Sequence, residues 1–338
     1  MYTASHYRII DKDRIQCRLC PHFCVLKEGE RGICMARIHK EGKLLTESYG
    51  ILSAISVDPV EKKPLYHYLP GTSIFSIGSF GCNLSCTFCQ NCDISQVEAG
   101  IFSRYAPRDP EIIVEEALRQ QGNIGLAYTY NEPGINFEYM LECATYARER
   151  QLKNVMVTNG FINAEPLNEL IPVTDAFNVD LKSFRDEFYR KITGGRLKPV
   201  LRTIEKIAGS DSHLELTFLI IPGLNDSEPE WEGLISWVSD HCGPDIVLHV
   251  SRYFPRYKLD QPSTPIHTLE QFIHMAREKI RYVYPGNTHN QMDSSTYCPE
   301  CGARLIDRSG YRTRVTGIDP GGHCTLCQAE IYGVFKAA

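Results

Sequence analysis

Over residues 74–285, short apolar runs alternate with longer stretches whose apolar positions recur every three or four residues. The short runs predict strands at 74–78, 124–129, 155–158, 176–181, 214–221 and 246–251. The periodic stretches predict helices at 135–150 and near 164–171, 197–208, 228–241 and 268–280. A further helix begins where Asp109 offers an N-cap and Pro110 a first helical residue, ahead of Glu111, Val114, Ala117 and Leu118. Strand, helix, strand in repetition is the pattern of a parallel sheet with crossover helices. Six such units predict an α/β fold, a partial (β/α)6 barrel rather than a closed eight-fold one.

Polar segments fall at the C-terminal ends of these strands, where barrels carry their chemistry. They are Thr129-Tyr130-Asn131-Glu132-Pro133, Thr158-Asn159-Gly160, Asn178-Val179-Asp180-Leu181-Lys182, Ile221-Pro222-Gly223-Leu224-Asn225-Asp226 and the run from His249 to Pro255. Composition narrows the setting. The chain has 338 residues, 43% hydrophobic and 23% charged, with a net charge of −5, so no global charge points to nucleic acid or an anionic membrane. No apolar run approaches a bilayer span and no signal-peptide core follows Met1, so a reducing cytoplasm is expected. There, 14 cysteines in short paired spacings imply metal ligands rather than disulfides.

The cysteines divide the chain into an N-terminal module at 1–50, the barrel at 51–285 and a C-terminal ribbon-like module at 286–338. In the barrel, Cys82-x3-Cys86-x2-Cys89 follows the first strand directly. Cubane iron–sulfur clusters take four thiolates, one per iron, so three leave one iron open to a substrate or cofactor. A zinc knuckle would need a fourth ligand, for which Cys92 stands too close. Cys298-x2-Cys301 and Cys324-x2-Cys327 form two knuckles suited to a closed tetrahedral site, zinc before iron, serving at least as a fold staple. Cys17, Cys20, Cys24 and Cys34 are less regularly spaced and suit zinc or an auxiliary cluster; His22 and His39 beside them are expected to be exposed. Cys143 and Cys242 read as buried thiols. Residues 58–67 predict a loop toward the barrel mouth, with Lys62, Lys63 and His67 as candidate substrate contacts. Arg304, Arg308, Arg312 and Arg314 predict a solvated face, because the C-terminal module's net charge is too small for nucleic-acid binding.

The three-cysteine segment, with Phe88 just before its last cysteine, resembles the signature of radical S-adenosylmethionine (SAM) enzymes. Residues 72–260 resemble the activases of glycyl-radical enzymes, such as pyruvate formate-lyase activating enzyme. The resemblance implies a [4Fe–4S] cluster on Cys82, Cys86 and Cys89 whose open iron chelates the amino and carboxylate groups of SAM. By it, Glu132 receives the methionine amino group, Asp180 and Lys182 face the cofactor with Lys182 toward the carboxylate, Asn159 adjoins them, and Phe88 packs near the adenine. Tyr130-Asn131 stands where the superfamily usually has Gly-Gly. Further segments (Cys17–Pro21, Glu61–His67, Cys89-Gln90-Asn91 and the Cys298–Cys327 tail) resemble the AmmeMemoRadiSam-system enzymes, which implies Memo-type and AMMECR-type partners.

The reaction expected is reductive cleavage of SAM to a 5′-deoxyadenosyl radical, with an electron donor such as flavodoxin or ferredoxin. Hydrogen abstraction from a peptide or protein substrate is the leading expectation. Radical modification of a small metabolite or lipid is the alternative among enzymes, and a non-catalytic iron–sulfur or zinc electron-transfer or scaffold protein the alternative outside them. No residue is assigned as a hydrogen donor or acceptor.

Overall fold

In the computed structural model, which describes residues 1–97, 99–102, 105–289 and 291–336, an eight-stranded sheet organises the chain. Its strands are β1 (Ala54–Pro59), β2 (Ser73–Gly78), β3 (Asn123–Tyr128), β4 (Lys153–Thr158), β5 (Ala176–Asp180), β6 (His213–Ile220), β7 (Val247–Arg252) and β8 (Tyr282–Gly286). They lie in sequence order across the sheet. β2 through β8 are parallel, and β1 joins β2 antiparallel at the edge. The α/β expectation holds, with six strand–helix units between β2 and β8. Two strands were not foreseen. β8 carries Pro285, a residue that argues against a strand but is tolerated at a sheet edge. β1 overlaps the segment expected as loop at Asp58 and Pro59.

Six helices cross between the strands: α1 (Pro110–Leu118), α2 (Phe137–Glu149), α3 (Ala164–Leu170), α4 (Leu197–Ala208), α5 (Glu228–Cys242) and α6 (Ile266–Ala276). As read from sequence, α1 starts on the Asp109 cap, whose carboxylate accepts from the Glu111 N–H at 2.9 Å. The strands' two-residue period separates two interiors. Leu126, Tyr128, Phe177, Val179, Leu216, Phe218 and Val250 join the helices in one large core. Ile74, Ala127, Val155 and Ala176 pack instead on Val60, Leu65, Tyr68 and Leu69, a segment that fills the base of the sheet's other face.

That segment is held by buried polar groups on the sheet. The Asn178 amide donates to the Pro64 carbonyl at 2.8 Å. Glu215, fully buried, accepts from the N–H groups of Tyr66 and His67 and bonds both His213 and His249. His67 is therefore corrected: it lies inside the fold, bonded to the Tyr332 carbonyl and the Tyr284 hydroxyl, and does not reach the barrel mouth.

The C-terminal module is an antiparallel sheet (Thr296–Tyr297, Arg304–Ser309, Arg312–Val315) followed by the second knuckle. Arg308 anchors it and is not solvated as expected: it is buried, donates to the Tyr66 carbonyl and the Thr296 hydroxyl, and stacks over the Tyr66 ring at 4.3 Å. The N-terminal residues form two small three-stranded sheets. There His39 is also buried, its Nδ1 bonded to the Leu26 carbonyl, and His22 is half-buried. No helix among the described residues is long and apolar enough to cross a membrane.

Candidate functional site

A cavity of about 670 Å³ opens at the C-terminal ends of the strands. Cys82, Cys86 and Cys89 line it together with Phe88, Glu132, Asn159, Asp180 and Lys182. Four successive strands thus deliver to one space the polar residues separated by up to a hundred positions in the chain. Cys92 does not line it, and among the described residues no fourth cysteine does.

The cysteine loop is clamped by asparagines. Asn131 accepts from the Ser79 N–H at 3.0 Å and donates to the Gly81 carbonyl at 2.9 Å, tying the loop after β2 to the end of β3. Asn83 donates to the Phe161 carbonyl and accepts from Asn159, whose amide also lies 3.7 Å from the Cys82 sulfur. The Leu84 N–H points at the same sulfur at 3.4 Å. Such donors favour the thiolate form that a metal requires. Against them, burial pushes the free Cys82 thiol well up, and pushes Cys86 to about 11 even with Lys182 nearby. A cationic metal would supply the charge that reverses this.

Glu132 is buried with both oxygens occupied: Oε1 accepts from the Thr158 hydroxyl and the Gly134 N–H, Oε2 from the Asn159 N–H. Burial raises its pKa, and these donors only partly offset it. Oε2 retains capacity for one more donor. Lys182 lies 3.1 Å from the Asp180 carboxylate and 5.8 Å from the Phe88 ring centre. Burial disfavours its ammonium, but Asp180, Cys86 and Tyr189 together more than offset that and hold its pKa above the ordinary lysine value.

Tyr130 takes φ +73°, so a tyrosine occupies the left-handed backbone where glycine is usual. Two contacts hold it there: its hydroxyl donates to Asp58 at 2.6 Å and its carbonyl accepts from Asn91 at 2.6 Å. Gly78 makes room, since a Cβ there would stand 2.9 Å from the Tyr130 ring. Asp58 also accepts from Lys62 and Lys63, and this set of donors holds its carboxyl well below the usual carboxylate range against the effect of burial. Lys62 and Lys63 line the cavity as expected of that loop. Tyr311, His249 and Ser251 line it too and were not foreseen as a group: Tyr311 comes from the C-terminal hairpin, and no spacing rule links it to the barrel.

The two outer cysteine sets lie outside the cavity. In the C-terminal set the Cys298 and Cys327 sulfurs are 3.5 Å apart and those of Cys301 and Cys324 are 3.7 Å apart. All four lie within 4.8 Å of one another. A tetrahedral ion with metal–sulfur bonds of about 2.3 Å sets its sulfurs about 3.8 Å apart, so this set fits one ion. The two knuckles repeat one geometry: Gly302 and Gln328 both adopt left-handed φ and close the turn onto Cys298 and Cys324. Backbone N–H groups of Cys327 and Leu326 pull the Cys324 thiol down to about 7. At the N terminus, burial raises Cys20, Cys24 and Cys34, and each is raised further by neighbouring members of its own set.

The sequence pattern of the Radical SAM superfamily matches residues 76–232. An uncharacterized protein of Methanocaldococcus jannaschii, MJ0808, is 40% identical over 334 residues, covering 98% of this chain and 99% of that protein. The pyruvate formate-lyase 1-activating enzyme of Escherichia coli is 21% identical over 150 residues, 44% of this chain and 61% of the enzyme. The crystal structure of a radical SAM methyltransferase from Sphaerobacter thermophilus aligns with TM-score 0.49 at 13% identity, covering 82% of this chain and 74% of that one.

Proposed function

Because the chain belongs to the radical SAM superfamily, we propose that it cleaves SAM reductively and abstracts hydrogen from a peptide or protein substrate. One observation carries the reading: three thiols, a buried carboxylate and a half-buried lysine converge on a single cavity that lacks a fourth cysteine among the described residues. Cys82, Cys86 and Cys89 would hold a [4Fe–4S] cluster, which would supply one-electron reduction of the SAM sulfonium.

The chain's own residues would bind and orient. The free acceptor site on Glu132 Oε2 suits the methionine ammonium, and the Lys182 ammonium suits the carboxylate. Phe88 offers a flat apolar face to the adenine. Asp180 keeps Lys182 charged and fixes its position. Thr158, Asn159 and Gly134 hold Glu132 so that no side-chain rearrangement accompanies binding.

A peptide or protein substrate is supported by likeness to an enzyme whose name describes it as activating another enzyme, and by a cavity bordered by Lys62 and the hairpin residue Tyr311. All 14 cysteines are unpaired, which suits a reducing cytoplasm and a flavodoxin- or ferredoxin-type donor. Zinc suits the C-terminal site, and the AmmeMemoRadiSam resemblance makes Memo-type and AMMECR-type proteins the partners to test first.

The test is 5′-deoxyadenosine release by anaerobically reduced enzyme, with and without a protein fraction of the host. Stimulation that protease treatment abolishes is expected, and Cys86→Ala should reduce release to background while the C-terminal metal stays bound. Release that survives Cys86→Ala would sink the assignment. Stimulation by the small-molecule fraction alone would move the substrate to a metabolite.

A further inference from the structure

We propose that Cys17, Cys20, Cys24 and Cys34 hold a second iron–sulfur cluster, not a zinc ion, docked against the loop that carries Cys82. Cys24 and Cys34 flank Gly32, on which a Cβ would stand 3.7 Å from either sulfur, and Cys17 and Cys24 pair through a backbone hydrogen bond of 2.9 Å. Backbone N–H groups of His22, Ile33 and Ala36 approach the sulfurs of Cys20, Cys24 and Cys34, as they do at metal-bound thiolates.

Sulfur spacing separates the two metal types. One tetrahedral ion draws its four thiolates to about 3.8 Å of one another. A cubane holds them farther apart, because each cysteine serves a different iron. Resting on the function proposed above, the ribbon set and the Cys82 set serve as references for the two cases. The C-terminal set is the one group of three or more metal-ligating side chains, among the described residues, whose ligand atoms all lie within 4.8 Å. The Cys82, Cys86 and Cys89 set does not meet that limit, and neither does the N-terminal set. By spacing, the N-terminal cysteines group with the cluster loop and not with the ribbon.

A second observation concerns Arg37. It is buried, its terminal nitrogens are committed to Glu138 and the Ser5 carbonyl, and its Nε–H has no hydrogen-bond partner. Its charge is felt at Cys34. A buried donor without an acceptor is unfavourable. A metal-bound sulfur at this site, thiolate or sulfide, would supply one.

The placement gives the site a purpose. His22, two residues after Cys20, donates from Nε2 to the Asn83 carbonyl at 2.7 Å, and Asn83 follows Cys82. The Cys34 carbonyl lies against Gly81, where a Cβ would approach it to 2.3 Å, so the φ +82° glycine permits the contact. Two short links therefore join the two cysteine sets, and a redox centre in the N-terminal module would sit directly beside the first cluster.

The experiment uses the full chain, purified anaerobically from cells supplied with both iron and zinc. The wild-type protein is expected to carry about eight iron and about eight sulfide per chain, four for each cubane, besides the ribbon's ion. Cys82→Ala/Cys86→Ala/Cys89→Ala should retain about four of each, with the Mössbauer signature of a cubane, and adding Cys20→Ser and Cys34→Ser should remove them. About four iron in the wild type, with zinc at two sites or no metal at the N-terminal one, would overturn the proposal even if the variants did not fold. The metal counts are independent of SAM cleavage, so failure of either proposal is recognisable by itself.

Discussion

Lys182 is the side chain whose loss should be easiest to interpret. Lys182→Met keeps most of its volume while removing the charge opposite Asp180 and the proposed SAM carboxylate. Affinity for SAM should fall at least tenfold, about 1.4 kcal/mol, with iron and sulfide content unchanged, as measured by calorimetry on the reconstituted protein. Unchanged affinity would remove Lys182 from the binding role. The position of this residue, like those of Glu132 and Asp180, was legible because a polar segment directly after an apolar strand is a local pattern, while its role came from the resemblance to radical SAM activases. Tyr130 was legible only by identity. Its φ of +73° and its Asp58 anchor depend on a partner 72 residues away, and no local pattern carries that information. His22, His39 and Arg308 were misjudged for the same reason, since burial of a polar side chain depends on a distant acceptor.

At the scale of elements, the start of α1 rests on one cap. Asp109→Ala should destabilise the protein by about 1 kcal/mol, seen as a lower midpoint in a denaturant melt, without changing SAM cleavage. A loss within error would mean that Pro110 and tertiary packing set the helix start alone. The segment at Tyr66–His67 gives a pH test. Burial lowers the His67 pKa from 6.5 to about 3, a shift that nearby Glu215 opposes but does not reverse. The unfolded chain therefore takes up the proton first, so stability is full above about pH 6.5 and declines as pH falls toward 3. The His213 and His249 contacts hold the Glu215 carboxyl below its ordinary value in spite of burial, which adds a further loss below pH 4.5. Melting temperature should drop between pH 7.5 and 5, and His67→Phe should flatten that slope; parallel slopes would show that His67 stays unlinked to folding.

For the whole molecule, the ribbon must stay docked because Tyr311 borders the cavity. Arg308→Met removes the buried donor to Tyr66, Thr296 and Ser294 and should cost roughly 1–3 kcal/mol. Limited proteolysis should then release the ribbon while the barrel stays intact. Cys324→Ala should lose the C-terminal metal and impair use of a macromolecular substrate, yet leave SAM cleavage measurable. Complete loss of cleavage would make the ribbon part of the cofactor site. None of this attachment was readable beforehand: Arg308 and Tyr66 are 242 positions apart.

Period and spacing determined by themselves the α/β architecture, the order of its six strand–helix units and the division of cysteines into three sets, while the candidate cofactor residues came from the resemblance of the strand-end segments to radical SAM enzymes. Those properties arise within windows of a few residues, where hydrophobic repeat and ligand spacing act directly. The tertiary structure alone decided that the candidate residues face one cavity, that Glu215 and Arg308 are buried anchors, and how far apart the sulfurs of each set lie. These are consequences of chain segments meeting across long separations, and the hydrogen bonds and packing that select such meetings exist only once the sheet has formed.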